Sequence, residues 1–173
     1  MDVVIEVVKY VLPAFIVFIT SWLVLKQMLR NEQSKRNIEM ITKNQKVITP
    51  IRLQAYERLT LLLERISPES LIMRLTKPQM TAKQLQSGII NTIRSEFDHN
   101  LSQQIYVSSQ AWELIKNARS TIVQIVNSCS NRVKPESSAL ELSKMILEEL
   151  MKQEKSPVSL ALEFLKAEVR KMY

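Results

Sequence analysis

The hydrophobic pattern divides the chain into one long apolar segment followed by a series of amphipathic segments. Residues 10–25, YVLPAFIVFITSWLVL, contain no charged side chain, and extension back to Val3 gives 23 residues interrupted only by Glu6 and Lys9. A helix of roughly 20 apolar residues crosses the ~30 Å hydrocarbon core of a bilayer. The pattern therefore predicts a transmembrane anchor over residues 1–25.

Two alternatives to an anchor are a cleaved signal peptide and a buried core helix. A signal peptide has a positive N-terminal region and a small-residue cleavage site, whereas this N-terminus carries Asp2 and Glu6 and has no A-x-A pattern after the apolar run. An uncharged run of this length is also longer than most core helices need. The anchor is the preferred interpretation.

The flanking charges predict the orientation of this anchor. Four basic residues follow it closely: Lys26, Arg30, Lys35 and Arg36. Positive residues near a membrane span favour the cytoplasmic side and attract anionic lipid. We therefore expect the N-terminus outside, residues 26–48 as a basic juxtamembrane helix or stalk on anionic inner-leaflet lipid, and the remainder in the cytoplasm.

The periodicity of the remaining residues predicts a multi-helix bundle over 49–173, so the fold class is all-α. Apolar positions recur at helical spacing, and with one glycine in the chain there is little material for tight hairpins. Thr49-Pro50 has the pattern of an N-cap followed by proline at the first helical position. The predicted helices are 50–66, 67–75, 81–99, 108–129, 136–153 and 157–172, with a turn and short helical piece at 100–107.

Two of these helices carry more specific predictions. Helix 136–153 is expected to bury four side chains: Leu140, Leu147, Leu150 and Met151. Gly88 falls inside helix 81–99, where a positive φ is not needed. It is therefore expected to mark a close crossing with another helix.

The basic charge is concentrated after the apolar segment. Residues 26–94 hold 13 Lys and Arg against 5 Glu, whereas residues 95–173 are neutral overall. The basic residues stand singly among apolar ones, without interleaved aromatics or a recognisable nucleic-acid motif. This distribution favours an anionic membrane surface and makes nucleic acid an improbable partner.

The chemistry available for catalysis is sparse. His99 is the only histidine and Cys129 the only cysteine, which excludes two-histidine metal sites and disulfides within the chain. One glycine cannot build a phosphate-binding loop or a nucleophile elbow. We therefore expect no catalytic residues, no metal and no cofactor, with Cys129 as a buried structural thiol.

A polar stretch between two apolar helices is the candidate interaction site. This many polar side chains need partners, either in another molecule or in the protein itself as a capped inter-helix loop. The candidate residues are Glu96, Asp98, His99, Asn100, Gln103, Gln104 and Tyr106.

Two stretches carry a family resemblance: ITPIRLQAYERLTLLLERI at 48–66 and FDHNLSQQIYVSSQAWELI at 97–115. They resemble an uncharacterised family of single-pass, membrane-anchored helical proteins of Bacteroidota-type bacteria. The resemblance covers most of the chain and implies a bacterial inner membrane. It implies no activity and no catalytic residues.

These observations predict a membrane-tethered helical adaptor or accessory subunit of an inner-membrane protein complex. Its partners would be the bilayer and a membrane or cytoplasmic protein, or further copies of itself. One alternative is an enzyme of unknown reaction with a polar site in the bundle near His99. The other is a membrane-bound nucleic-acid-binding protein.

Overall fold

The described residues form six α-helices and one 3₁₀ helix, without a β-strand, which confirms the all-α class. A computed structural model describes the backbone of residues 2–153 and 155–172 and the side chains of 15–33, 35–36, 38–43, 45–153 and 155–172. The α-helices are α1 (Asp2–Ile66), α2 (Pro68–Leu75), α3 (Ala82–His99), α4 (Ser109–Ser130), α5 (Ala139–Met151) and α6 (Pro157–Arg170), and the 3₁₀ helix is Leu101–Ile105. The chain divides into two compact units, Met1–Thr49 and Pro50–Tyr173.

In the first unit, α1 exposes apolar side chains in every direction. Between Phe15 and Leu29, eleven large apolar side chains have exposed fractions of 40–66%. Residues 15–19 are consecutive, and at 3.6 residues per turn they point all around the helix. The side chains of residues 2–14, where the predicted anchor begins, lie outside those described. Within the described residues, the helices offer no stretch long and apolar enough to span a membrane.

The predicted helix start at Thr49-Pro50 is wrong, because α1 continues unbroken from Asp2 to Ile66. Proline inside a helix removes one i→i−4 hydrogen bond and crowds the carbonyl of residue i−4, here Lys46. The helical turns before and after Pro50 keep their own hydrogen bonds, so the helix continues despite the one that is lost. The sequence pattern of a cap followed by proline did not distinguish a helix start from this tolerated interior position.

The core of the second unit lies where the last part of α1 meets the shorter helices. α4 packs against α3, α5 and α6, and α2 packs against α3 and α5. Helices α3 and α4 each bury one apolar stripe at helical spacing. Their fully or almost fully buried side chains include Leu85, Ile89, Ile93, Phe97, Trp112, Ile115, Ala118, Ile122, Ile125 and Val126.

Helices α3 and α5 cap each other at their first turns. Thr81 opens α3 with a capping box: the Thr81 hydroxyl accepts from Gln84 N–H at 3.2 Å, and Gln84 Oε1 accepts from Thr81 N–H at 3.0 Å. Ala82 N–H donates to Ser137 O at 2.8 Å, and Ala139 N–H donates to Met80 O at 2.8 Å. Because residues before α5 are used in this pairing, α5 begins at Ala139 rather than at the predicted residue 136.

The predicted buried face of α5 is only partly right. Leu150 is buried and Leu147 is half-buried, but Leu140 is 70% and Met151 86% exposed. The helix instead buries a neighbouring face formed by Ala139, Leu142, Ser143, Ile146 and Leu150. Both faces are apolar enough to pack, and the pairing with α3 and α4 selects the second.

Gly88 does not mark a close helix crossing, so that prediction is wrong. A Cβ atom at this position would lie 3.9 Å from Leu75 Cδ1, an ordinary van der Waals contact. The glycine has no positive φ. Neither packing nor backbone conformation requires a glycine here.

We therefore expect Gly88→Ala to stabilise the protein by about 0.5–1 kcal/mol, the helix-propensity difference between the two residues. The measurement is urea unfolding followed by far-UV circular dichroism. A loss of stability would show that the helices approach more closely than the structure indicates. Ser87→Ala, at the adjacent position, controls for a general effect of alanine in α3.

Candidate interaction surfaces

An apolar groove lies between α2 and α5, on the face of α5 that the fold leaves uncovered. Its volume is about 520 Å³. Nine residues line it: Ile72, Met73, Thr76, Leu140, Ser143, Lys144, Leu147, Glu148 and Met151. Met73 is 85% exposed, which adds a third strongly exposed apolar side chain to Leu140 and Met151. A continuous exposed apolar surface of this kind is typical of protein interaction sites.

The short helix α2 forms the second wall of the groove, with its N-terminus capped and its middle packed onto the core. Ser67 is its N-cap, with the hydroxyl accepting from Ser70 N–H at 3.3 Å, and Pro68 follows at the start of the helix. Leu71 is fully buried and fixes α2 onto the core. Ile72 and Met73, the next two positions, are thereby turned toward the groove.

The polar groups of the groove are few. Lys144 and Glu148 lie one turn apart on α5, with Nζ and Oε1 separated by 3.9 Å and both side chains mostly exposed. Thr76 Oγ1 is shielded from solvent and has no hydrogen-bond partner among the described residues. An unmade hydrogen bond of this kind costs about 1–3 kcal/mol. The groove therefore combines an apolar floor, one opposite-charge pair and one unsatisfied hydroxyl.

The predicted polar site forms the connection between α3 and α4. Asn100 is buried and ends α3, its Nδ2 donating to Glu96 O at 2.9 Å. Gln103 is also buried, in the 3₁₀ helix, and its Nε2 donates to Ser102 Oγ at 3.3 Å. Asp98, His99 and Gln104 are exposed. The two buried side-chain amides, of Asn100 and Gln103, thus both donate to nearby residues of the same segment.

Two residues of this polar segment are held by α1. Glu96 Oε1 lies 2.7 Å from Arg65 Nη2, and the carbonyl of Tyr106 accepts a hydrogen bond from Arg52 Nε at 3.2 Å. These contacts join the end of α3 and the later part of the α3–α4 connection to the C-terminal part of α1. They use the Glu96 carboxylate, while the exposed His99 points away from the core.

Cys129 is buried, as predicted, with 0% exposure. Its Sγ lies 3.4 Å from Arg132 Nη2 and 3.7 Å from the Met145 carbonyl oxygen. Burial raises the pKa of the Cys129 thiol, and the neighbouring Arg132 only partly opposes this. The thiol is therefore protonated at neutral pH, the form that packs as a small apolar group and is a poor nucleophile.

Beside Cys129, the Glu149 carboxylate is held by two cations, Lys152 at 3.1 Å and Arg132 at 3.2 Å. The hydrogen bonds from Lys152 and Arg132 lower the pKa of Glu149. The group links the end of α4 to the end of α5. Among the described residues, no three His, Cys, Asp or Glu side chains come together in a way that could hold a metal ion.

The four basic residues proposed for the membrane surface are all exposed on α1. Lys26 Nζ lies 4.8 Å from the centre of the Trp22 ring, a cation–π contact. Arg36 pairs with Glu32 at 3.6 Å. Exposed pairs of this kind are weak, so these charges remain available to an anionic surface.

The described residues define an all-α protein with an uncovered apolar groove between α2 and α5. Over residues 2–172 it matches a family of unknown function, DUF7935, and it is a member of that family. The resemblance to an uncharacterised family is thereby confirmed. No curated protein and no solved structure matches the chain.

Proposed function

We propose that this protein is a membrane-tethered helical adaptor or accessory subunit of a bacterial inner-membrane protein complex, and that it acts by protein–protein binding rather than by catalysis. The groove between α2 and α5 is its binding surface. The observation that carries the proposal is the exposure of Met73, Leu140 and Met151 along one continuous apolar face.

The groove supports a binding function because the exposure of Met73, Leu140 and Met151 does not contribute to the stability of the fold. Each exposed large apolar side chain forgoes about 1.5–3 kcal/mol that burial would contribute. On α5, a complete buried face already exists at Leu142, Ile146 and Leu150. A second apolar face on the same helix therefore contributes favourable burial energy only when another molecule covers it.

The tether is supported by α1. The segment 10–25 has no charged residue, and its described part, from Phe15 to Leu25, exposes apolar side chains on all sides. A helix that is apolar all around is covered by lipid or by other protein. With Lys26, Arg30, Lys35 and Arg36 immediately after it, we propose insertion in the inner membrane with the N-terminus outside and the helical unit in the cytoplasm.

The experiment is chemical cross-linking of the tagged full-length protein in native membranes, followed by purification in detergent and identification of what is recovered. We expect a stoichiometric protein partner with the wild-type chain. Leu140→Glu should remove it, because a charge placed in the groove must be desolvated on binding. Leu140 is the second residue of α5, where a glutamate is favourable for the helix.

Ile105→Glu is the matched control, because Ile105 is 72% exposed and lies outside the groove. This variant is expected to recover the same partner as the wild type. If both variants recover it equally, the groove is not the binding surface. A purified full-length protein that turned over a substrate would overturn the adaptor proposal altogether.

A further inference from the structure

We propose that the groove is occupied by a second copy of this chain, with the two α5 helices packed antiparallel across a two-fold axis. The inference rests on the proposed function in one respect, that the groove binds protein. It goes further by naming the partner. Its support is the distribution of charge along the exposed face of α5.

Five residues of α5 form the surface in question, which we term the α5 stripe: Leu140, Lys144, Leu147, Glu148 and Met151. At 3.6 residues per turn they fall within an arc of about 100°. Leu140 and Met151 stand at the two ends, about 16 Å apart along the axis at 1.5 Å per residue. The stripe is thus a three-turn surface with an apolar side chain at each end.

When a second α5 helix runs antiparallel to the first, the two α5 stripes align in register. In a symmetric interface, residue i of one copy meets residue j of the other, and the reverse contact is also made. When the two-fold axis passes midway between Leu140 and Met151, each Leu140 lies level with Met151 of the other copy. The two ends of the groove are then closed by apolar contacts.

The same reversal brings opposite charges together. Lys144 and Glu148 lie on the same edge of the stripe and on opposite sides of its midpoint. After reversal, Lys144 of one copy and Glu148 of the other differ in height by only about 1.5 Å. Helix axes in contact are about 8–10 Å apart, a separation that these two long side chains bridge. Two ion pairs form, one on each side of the axis.

This arrangement favours a second copy over an unrelated helix. An unrelated partner would need to supply an anion against Lys144, a cation against Glu148 and apolar side chains at both ends. A second copy supplies all of these without any further requirement. Charge complementarity across an interface sets orientation and partner choice, and here the stripe is complementary to itself.

The test is a charge exchange in the full-length protein, measured as self-association by energy transfer between labelled chains in detergent. Lys144→Glu and Glu148→Lys should each weaken self-association about tenfold, because both intermolecular pairs become repulsive. An equimolar mixture of the two variants should recover wild-type association. In the mixture every chain that carries two glutamates meets a chain that carries two lysines.

The mixture also separates the intermolecular pairs from the pair within α5. Each variant loses its own Lys144–Glu148 contact of 3.9 Å, and mixing does not restore that contact. Recovery can therefore come only from pairing between chains. Single variants that associate like the wild type, or a mixture that stays as weak as its components, would overturn the proposal.

A second measurement tests the register directly. The double variant Leu140→Cys with Met151→Cys should form an intermolecular disulfide, because these positions face each other in the antiparallel pair. A variant with only one of these cysteines should form no intermolecular disulfide. The same position in the two copies is about 16 Å apart along the helix axes, and a disulfide requires Cα atoms within about 7 Å. The native Cys129 is fully buried and does not compete.

The outcomes distinguish this inference from the proposed function. In one outcome the mixed variants do not recover association and the cross-link does not form, but Leu140→Glu still removes a captured partner. A different protein then occupies the groove, so the dimer is wrong and the adaptor proposal stands. In the opposite outcome the mixture recovers association and the cross-link forms, but Leu140→Glu leaves the captured partners unchanged; the dimer then stands, and the adaptor function does not act through this groove.

Discussion

Ile146→Ala is expected to lower the free energy of unfolding by about 3 kcal/mol, whereas Leu140→Ala on the same helix should change it by less than about 0.5 kcal/mol. Ile146 is fully buried, and its truncation removes packed methyl groups and leaves a cavity. Leu140 is 70% exposed and has little packing to lose. The pair therefore reports which face of α5 is in the core.

Urea unfolding of the full-length chain in detergent, followed by far-UV circular dichroism at a protein concentration low enough to keep the chain monomeric, measures both changes. The two substitutions lie on one helix and end in the same residue, so helix propensity contributes similarly to both. An equal loss in the two variants, or a larger loss for Leu140→Ala, would return the core of α5 to the face predicted from sequence. It would also contradict the exposure of the apolar α5 face that lines the groove.

Pro50→Ala is the second substitution with a large expected effect, in the opposite direction. Pro50 lies inside the continuous helix α1, where proline is about 3 kcal/mol less favourable than alanine. The replacement restores an N–H that can donate to the carbonyl of Lys46. We expect the free energy of local opening at residues 46–54 to rise by about 3 kcal/mol, measured by native-state hydrogen exchange.

Thr49→Ala makes the companion test, because it separates a continuous helix from a helix start. Inside a continuous helix the substitution is neutral or slightly stabilising, since alanine has the higher helix propensity. At an N-cap it costs about 1 kcal/mol through loss of the capping hydroxyl. A destabilising Thr49→Ala together with an unchanged Pro50→Ala would mean that a new helix begins at residue 50.

The candidate surfaces were predictable to different degrees. The polar segment around His99 was recognisable because uncharged and charged polar residues interrupt two apolar helices, and the structure locates it at the α3–α4 connection. Which of its polar atoms are buried depends on partners such as Arg65 and Arg52, which are far away in sequence. The groove was missed, since its apolar residues were expected to be inside the core.

The sequence by itself determined the all-α class and most of the helices. Local signals were sufficient there, because caps such as Thr81 with Gln84, and Ser67 before Pro68, act within one turn. The buried faces of α3 and α4 were also predictable, since each carries a single apolar stripe. A helix with a single apolar stripe can pack against a core only through that stripe.

Structure beyond the local sequence pattern decided the orientation of α5 and the continuity of α1 at Pro50. Helix α5 carries two apolar stripes at helical spacing, one through Leu142 and Ile146 and one through Leu140 and Leu147, and periodicity ranks them equally. The choice depends on pairing with α3 and α4, and it leaves the second stripe outside. At Pro50, likewise, the local cost of proline is known from sequence, but whether the rest of the helix outweighs it is decided by cooperation between the turns on either side.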